Sequence, residues 1–172
     1  LRNSARCLYP IRHGVRTDAG ISLMRLLVLC THNSARSQMA EGWLRHHAKE
    51  LSLKAEVFSA GTEKSIVKPD AITVMQEVGI DLSCHSSKML EDLPDRWNFD
   101  VVLTVCDSAN EICPVYPVET NRLHVAFPDP SGSSMERWSE VRDMLKLSCE
   151  KMIQMLKAGV QPTEEALKKA LL

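Results

Sequence analysis

The sequence predicts an α/β fold, a four-stranded parallel sheet with helices on both faces. Three observations carry that prediction. Short apolar runs alternate with helical periods along most of the chain, an order that joins parallel strands by right-handed crossovers. The runs Leu26-Leu27-Val28-Leu29 and Val101-Val102-Leu103 are continuously apolar, as strands buried on both faces are. The first run also leads through Cys30-Thr31-His32-Asn33-Ser34-Ala35-Arg36-Ser37 into a helical pattern. That puts a polar loop at the C-terminal end of a strand, where open parallel sheets hold ligands.

In chain order, residues 1–23 carry Arg2, Arg6, Arg12 and Arg16 against one acid, Asp18, with no period, and Met24 stands directly before the first strand. This segment is expected to be a disordered or non-native extension. Residues 25–29 read as a buried strand. A helix runs from 36 to about 50, with Met39, Trp43, Leu44 and His47 three and four apart. The second strand, 55–60, stops at Gly61. Pro69 opens a helix over 69–78 that Gly79 closes. The third strand is 100–105 and the fourth 122–127. Trp138, Val141, Leu145, Cys149, Met152 and Leu156 then mark one apolar stripe of a long helix ended by Ala158 and Gly159. The domain is expected over 24–159, followed by a tail, 160–172, of short amphipathic helical character.

A chain of 172 residues suits one domain with its own core. The 21 lysines and arginines balance 22 acids for a net charge of -1, and the basic residues are scattered, which excludes a nucleic-acid or membrane surface. No apolar run approaches the roughly 18 residues of a membrane span, and no secretion signal is legible. The expectation is a cytoplasmic monomer. Six cysteines in such a chain point to redox chemistry or burial rather than structural bridges.

The loop after the first strand has the chemistry of an oxyanion trap. The backbone N–H groups of Thr31, His32, Asn33, Ser34 and Ala35 can wrap a tetrahedral anion while the helix N-terminus adds positive charge. The Arg36 guanidinium can hold two oxyanion oxygens, and its field favours Cys30 as thiolate, the nucleophilic form. Ser37 can donate one more hydrogen bond. Asn33 tolerates the left-handed backbone that inward-turned amides need.

The string from Cys30 through Arg36-Ser37 to Gln38-Met39-Ala40-Glu41-Gly42 resembles the phosphate loop of the low-molecular-weight tyrosine phosphatase superfamily, and in its longer form the arsenate reductase branch. Cys106 stands at the end of the third strand, on the rim that carries Cys30, and Cys113 follows seven residues later across the polar stretch Asp107-Ser108-Ala109-Asn110-Glu111-Ile112. If that stretch is a helix, the two thiols lie about 10 Å apart. A disulfide needs Cα atoms within about 7 Å, so the stretch would have to unwind. Cys30, Cys106 and Cys113 together resemble the redox cysteines of thioredoxin-coupled arsenate reductases, and the resemblance spans about 24–159. It implies a low-molecular-weight phosphatase-like fold in which Cys30 attacks arsenate, Cys106 and Cys113 relay the disulfide, and thioredoxin is the reductant. No cofactor or metal is implied. Asp129, in Phe127-Pro128-Asp129-Pro130, matches the superfamily's general acid, and Ser131 stands where phosphatases usually carry an aromatic residue.

Asn33, Glu41 and Ser59 are expected to brace the loop. Some relatives hold a potassium ion there, with an acid where this chain has Lys88. An ammonium matches potassium in size and charge, so Lys88 can take that ion's place against Glu41; the alternative is a solvated surface lysine. His46, His85 and His124 read as structural or solvated rather than as ligands, because no metal-type set stands at ligand spacing around them. Two other functions share these residues. A phosphatase acting on aryl phosphates would leave Cys106 and Cys113 idle, although weak phosphatase activity is expected of either enzyme. A non-catalytic oxyanion or arsenic sensor would not need Asp129.

Overall fold

The computed structural model describes residues 23–117 and 119–172, so the expectation for the N-terminal extension lies, apart from Leu23, outside the described residues. Strands β1 (Met24–Cys30), β2 (Ala55–Gly61), β3 (Val101–Thr104) and β4 (Asn121–His124) form one sheet in the order β2-β1-β3-β4. All three pairings are parallel. β1 is central and apolar on both faces, and Leu26, Leu27, Val28 and Leu29 are at most 2% exposed. Burying such side chains contributes about 1.5–3 kcal/mol each, which fixes β1 as the axis from which Cys30 projects.

The helices are α1 (Arg36–Glu50), α2 (Pro69–Glu77), α3 (Asp107–Ile112), α4 (Met135–Lys157) and α5 (Glu164–Lys169). The predicted stripes of α1 and α4 are buried from Met39 to His47 and from Trp138 to Leu156. Pro69 begins α2, and Gly79 just past its end takes a positive φ of 79°, as a left-handed helix stop requires. Ser134 caps α4 by accepting a hydrogen bond from the Arg137 amide.

The last two strands are shorter than the sequence reading. β3 ends at Thr104 because Cys106 already caps α3, and β4 then ends at His124 for want of a partner strand. Residues 125–127 stay extended and still bond back, Val125 N–H to Thr104 C=O and Phe127 N–H to Val105 C=O. The C-terminal segment is also more than a tail. Leu167 on α5 is buried, the Ser148 hydroxyl on α4 donates to its carbonyl, and Glu164 accepts from the His124 amide of β4.

Candidate active site

Cys30 is the last residue of β1, and residues 31–35 turn from it into α1. Asn33 has φ +48°, the left-handed conformation expected of it. No side chain caps α1 and no acid stands in its first turn, so its first N–H groups face the loop as anion donors. Gly61, paired in register with Cys30 on β2, closes the back of the loop. A Cβ there would sit 2.6 Å from the Thr31 oxygen and 2.9 Å from the Asn33 nitrogen, so only glycine fits.

The brace beneath the loop is a buried polar network. Asn33 Nδ2 donates to Ser37 Oγ at 2.9 Å and to Ser59 Oγ at 2.8 Å, and its Oδ1 accepts from the Lys88 amide at 2.9 Å and from Gln38 Nε2 at 2.9 Å. Because Ser37 accepts from Asn33, its own O–H remains the group that can donate. Ser59 Oγ donates to Glu41 Oε2, while Glu41 Oε1 pairs with Arg45 Nη2 at 2.7 Å. Lys88 Nζ donates to the Ser86 carbonyl at 2.8 Å and lies 4.0 Å from Glu41 Oε2. Burial holds the Lys88 ammonium below its ordinary pKa, against the pull of Glu41.

The thiols of Cys30 and Cys106 hydrogen-bond to each other, and Thr31 Oγ1 lies 3.4 Å from Cys106 Sγ. The expectation that Cys30 holds the negative charge becomes one about the pair, which shares a single charge between its two sulfurs. Cys106 is the thiol drawn down, to about 5, because it accepts from Cys30, with further help from Thr31, the Ala109 amide and Arg36. The bond to Cys106 and burial push Cys30 up despite Arg36. The two sulfurs thus titrate as one unit that sheds its first proton easily and keeps its second.

Cys106 and Cys113 cap the two ends of α3, so the predicted intervening helix stands in this state. Burial raises the Cys113 thiol, partly offset by Arg122. Cys113 lines a cavity of about 260 Å³ whose walls include Leu90, Trp97, Ile112 and Pro114. Trp97 and Ile112 are 44% and 60% exposed, so an apolar approach leads from solvent to this thiol.

Arg36 ties the loop to the acid: Nη1 donates to the Phe127 carbonyl at 2.9 Å and Nη2 lies 3.5 Å from Asp129 Oδ2. Asp129 opens to solvent on one side and accepts from the Ser131 amide at 3.0 Å. Partial burial raises its pKa, but the Ser131 bonds, Arg36 and His32 outweigh it and hold the carboxyl down. His32 pairs with Glu63 at 3.0 Å on the exposed rim.

A family model described as low molecular weight phosphotyrosine protein phosphatase matches residues 25–162. The chain belongs to that family. Within it, the arsenate reductase of Bacillus cereus is 42% identical over 118 residues, 69% of this chain and 85% of the relative. An arsenate reductase of Staphylococcus aureus is 41% identical over 124 residues, 72% and 91% of the two chains. Among solved structures, an arsenate reductase in its oxidized state superposes with a TM-score of 0.67 at 32% identity, covering 77% of this chain and 98% of its own. A mutant of YwlE from Bacillus subtilis also gives 0.67, at 26% identity, covering 78% and 99%.

The structure brings together every predicted loop and bracing residue, and it adds Gln38, Gly61 and the side chain of Thr31, of which only the backbone amide was predicted to act. Gln38 is fully buried, donates to Asn33 and Ser86 and meets His85 Nδ1 at 2.9 Å; it shares a polar helix face with Glu41 and Arg45, so no local signal marked its burial. Gly61 read only as a strand stop. Thr31 turned out to contact Cys106 through its side chain. His46, set aside as a ligand, lies with His47 and Glu50 in one compact group.

Proposed function

We propose that this chain reduces arsenate to arsenite through a three-cysteine relay regenerated by thioredoxin. The observation that carries the reading is the hydrogen-bonded pair of Cys30 and Cys106 at the oxyanion loop, with Cys113 one helix away. A phosphatase needs Cys30, Arg36 and Asp129 but gains nothing from a second thiol against its nucleophile. The arsenate reductases among the relatives support the same choice of substrate.

The chemistry follows from the geometry. Arsenate seats on the loop amides and Arg36. Cys30 becomes thiolate by a proton shift to Cys106 along their shared hydrogen bond, so no net charge enters the site. The Cys30 sulfur bonds to arsenic and one oxygen leaves, protonated by Asp129; arsenic is still pentavalent. Asp129 is held charged at rest, and the oxyanion's own charge raises its proton affinity as the substrate binds. Cys106 returns that proton to an arsenic-bound oxygen and, as thiolate, attacks Cys30 Sγ. The sulfur–arsenic bond breaks, its electron pair stays on arsenic, and trivalent arsenite departs from a Cys30–Cys106 disulfide. Cys113 thiolate then attacks Cys106 Sγ, releasing Cys30 as thiolate, and the Cys106–Cys113 disulfide passes to the thioredoxin dithiol. The Trp97–Ile112–Pro114 approach gives that partner apolar surface beside Cys113.

The test compares arsenite formation supported by thioredoxin, thioredoxin reductase and NADPH with hydrolysis of p-nitrophenyl phosphate. The reading expects sustained arsenite formation and only slow phosphate release. Fast hydrolysis without arsenite formation would establish the phosphatase instead, and neither activity would leave an oxyanion sensor.

A further inference from the structure

We propose that the last turn of α1 binds a divalent transition-metal ion of the imidazole-preferring class, such as nickel or zinc, through His46 Nε2, His47 Nδ1 and the Glu50 carboxylate. The three donor groups come from one helix at i, i+1 and i+4, and their ligand atoms all lie within 4.8 Å of one another. Glu50 sits between the two rings, Oε1 3.2 Å from His46 Nε2 and Oε2 3.0 Å from His47 Nδ1. Tetrahedral metal–nitrogen and metal–oxygen bonds of about 2.0–2.1 Å put ligand atoms roughly 3.3 Å apart, close to the two carboxylate–imidazole distances already present. The ion would occupy the space where the nitrogens and the carboxylate now meet through shared protons.

The rings are held for this role. Trp43 stacks on His47 with centroids 5.4 Å apart and planes 11° apart, and meets His46 edge-on at 5.6 Å. His47 is 4% exposed, and its Nε2 has no partner among the described residues, so Glu50 is the polar tie that orients its ring. The surrounding field suits a cation. The site lies at the C-terminal, partially negative end of a 15-residue helix, and Glu150 on α4 acts on His47 as a second negative charge. Glu50 and Glu150 together match the two charges of the ion. The opposing ammonium, Lys146, rests on the Trp43 ring at 5.6 Å. Such an ion would staple the last turn of α1. The site lies at the opposite end of α1 from the oxyanion loop and does not rest on the arsenate reading.

Titration calorimetry with nickel on the full chain tests the site, in the reduced protein and in a Cys30→Ser/Cys106→Ser variant that removes the competing thiols. One ion per chain should bind in both and raise the melting temperature by roughly 5 °C or more at saturating concentration. His46→Ala and Glu50→Gln alter half-exposed side chains that the fold does not require, and each should weaken binding about 10-fold or more. With cobalt as the probe, the spectrum should show nitrogen and oxygen ligation without a thiolate charge-transfer band. No saturable binding, binding indifferent to His46→Ala and Glu50→Gln, or binding lost with the two thiols would each overturn the proposal.

Discussion

Asn33 shows how much one residue can reveal and conceal. Its left-handed backbone was legible because few side chains accept that conformation and an inward-facing loop needs it. Its network was not, since Ser59 and Lys88 reach it from 26 and 55 positions away and only the folded sheet brings them close. The thiol pair has the same character: a cysteine at each of two strand ends predicts a shared rim, but not that one sulfur takes the charge from the other. Iodoacetamide alkylation across pH tests this. Reactivity of the pair should rise through about 5, not through the roughly 8.5 of a free thiol, and sulfate should protect it. Cys30→Ala removes the donor that holds Cys106 down, so Cys106 should react more slowly at pH 6 in that variant. Equal rates in both proteins would mean that the hydrogen bond does not set the charge. Lys88 gives a second test at this scale. Its ammonium lies 4.0 Å from a fully buried carboxylate of the brace, where a monovalent cation would be redundant. We expect arsenate reduction and melting temperature to respond alike to sodium and potassium at matched ionic strength, and Lys88→Asp to introduce a potassium-specific gain in both. A potassium preference in the unaltered chain would refute that role for Lys88.

Among the elements, α3 is the one whose structure must break for the proposed chemistry to finish. It has six residues, few enough to be marginal alone, and its buried anchor is Ala109. Its first turn is tied to β4 by His124, which meets Asp107 at 2.9 Å and Thr104 Oγ1 at 2.8 Å. The sequence allowed the helix and put a cysteine at each end of the polar stretch, because that composition is local. The His124 tie joins two strands' ends and has no local signal. In the Cys106–Cys113 disulfide the thiols must come within about 7 Å between Cα atoms, so α3 has to unwind. Hydrogen exchange of the Asn110 amide, which bonds the Cys106 carbonyl, should accelerate on oxidation while the amides of β1 stay protected. Cys113→Ser separates this step from those before it. One equivalent of arsenite per chain should still form, cycling with thioredoxin should fall to a few per cent or less, and a Cys30–Cys106 linked peptide should accumulate. Cycling at the unaltered rate would sink the relay and point to an external thiol acting directly on the first disulfide.

At the scale of the whole molecule, chemistry and stability sit at opposite ends of β1. Cys30 ends the strand, while Arg25, five residues earlier and about 16 Å away, anchors its start. Arg25 donates to the carbonyls of Pro94, Asp95 and Asn98 at 2.8, 3.1 and 2.6 Å, and its guanidinium lies over Phe58 at 5.3 Å and Phe99 at 4.7 Å. The sequence placed Arg25 only as the first residue of a buried strand, because a side chain that closes a loop seventy positions away leaves no periodic trace. Arg25→Met keeps the apolar stem but removes the donors from three carbonyls. Net hydrogen bonds to a charged group are worth about 1.5–3 kcal/mol each, but they share one guanidinium and water can reach the loop, so a total near 3 kcal/mol is expected. For a chain of this size that lowers the melting temperature by roughly 6–12 °C. The loop amides, Arg36 and the three cysteines are untouched, so arsenite formed per folded molecule at 25 °C should stay within about twofold of the unaltered chain. A large loss of turnover in a variant that is still fully folded would show that the two ends of the strand are coupled, and that the 94–98 loop reaches the relay through the Trp97 wall of the Cys113 cavity.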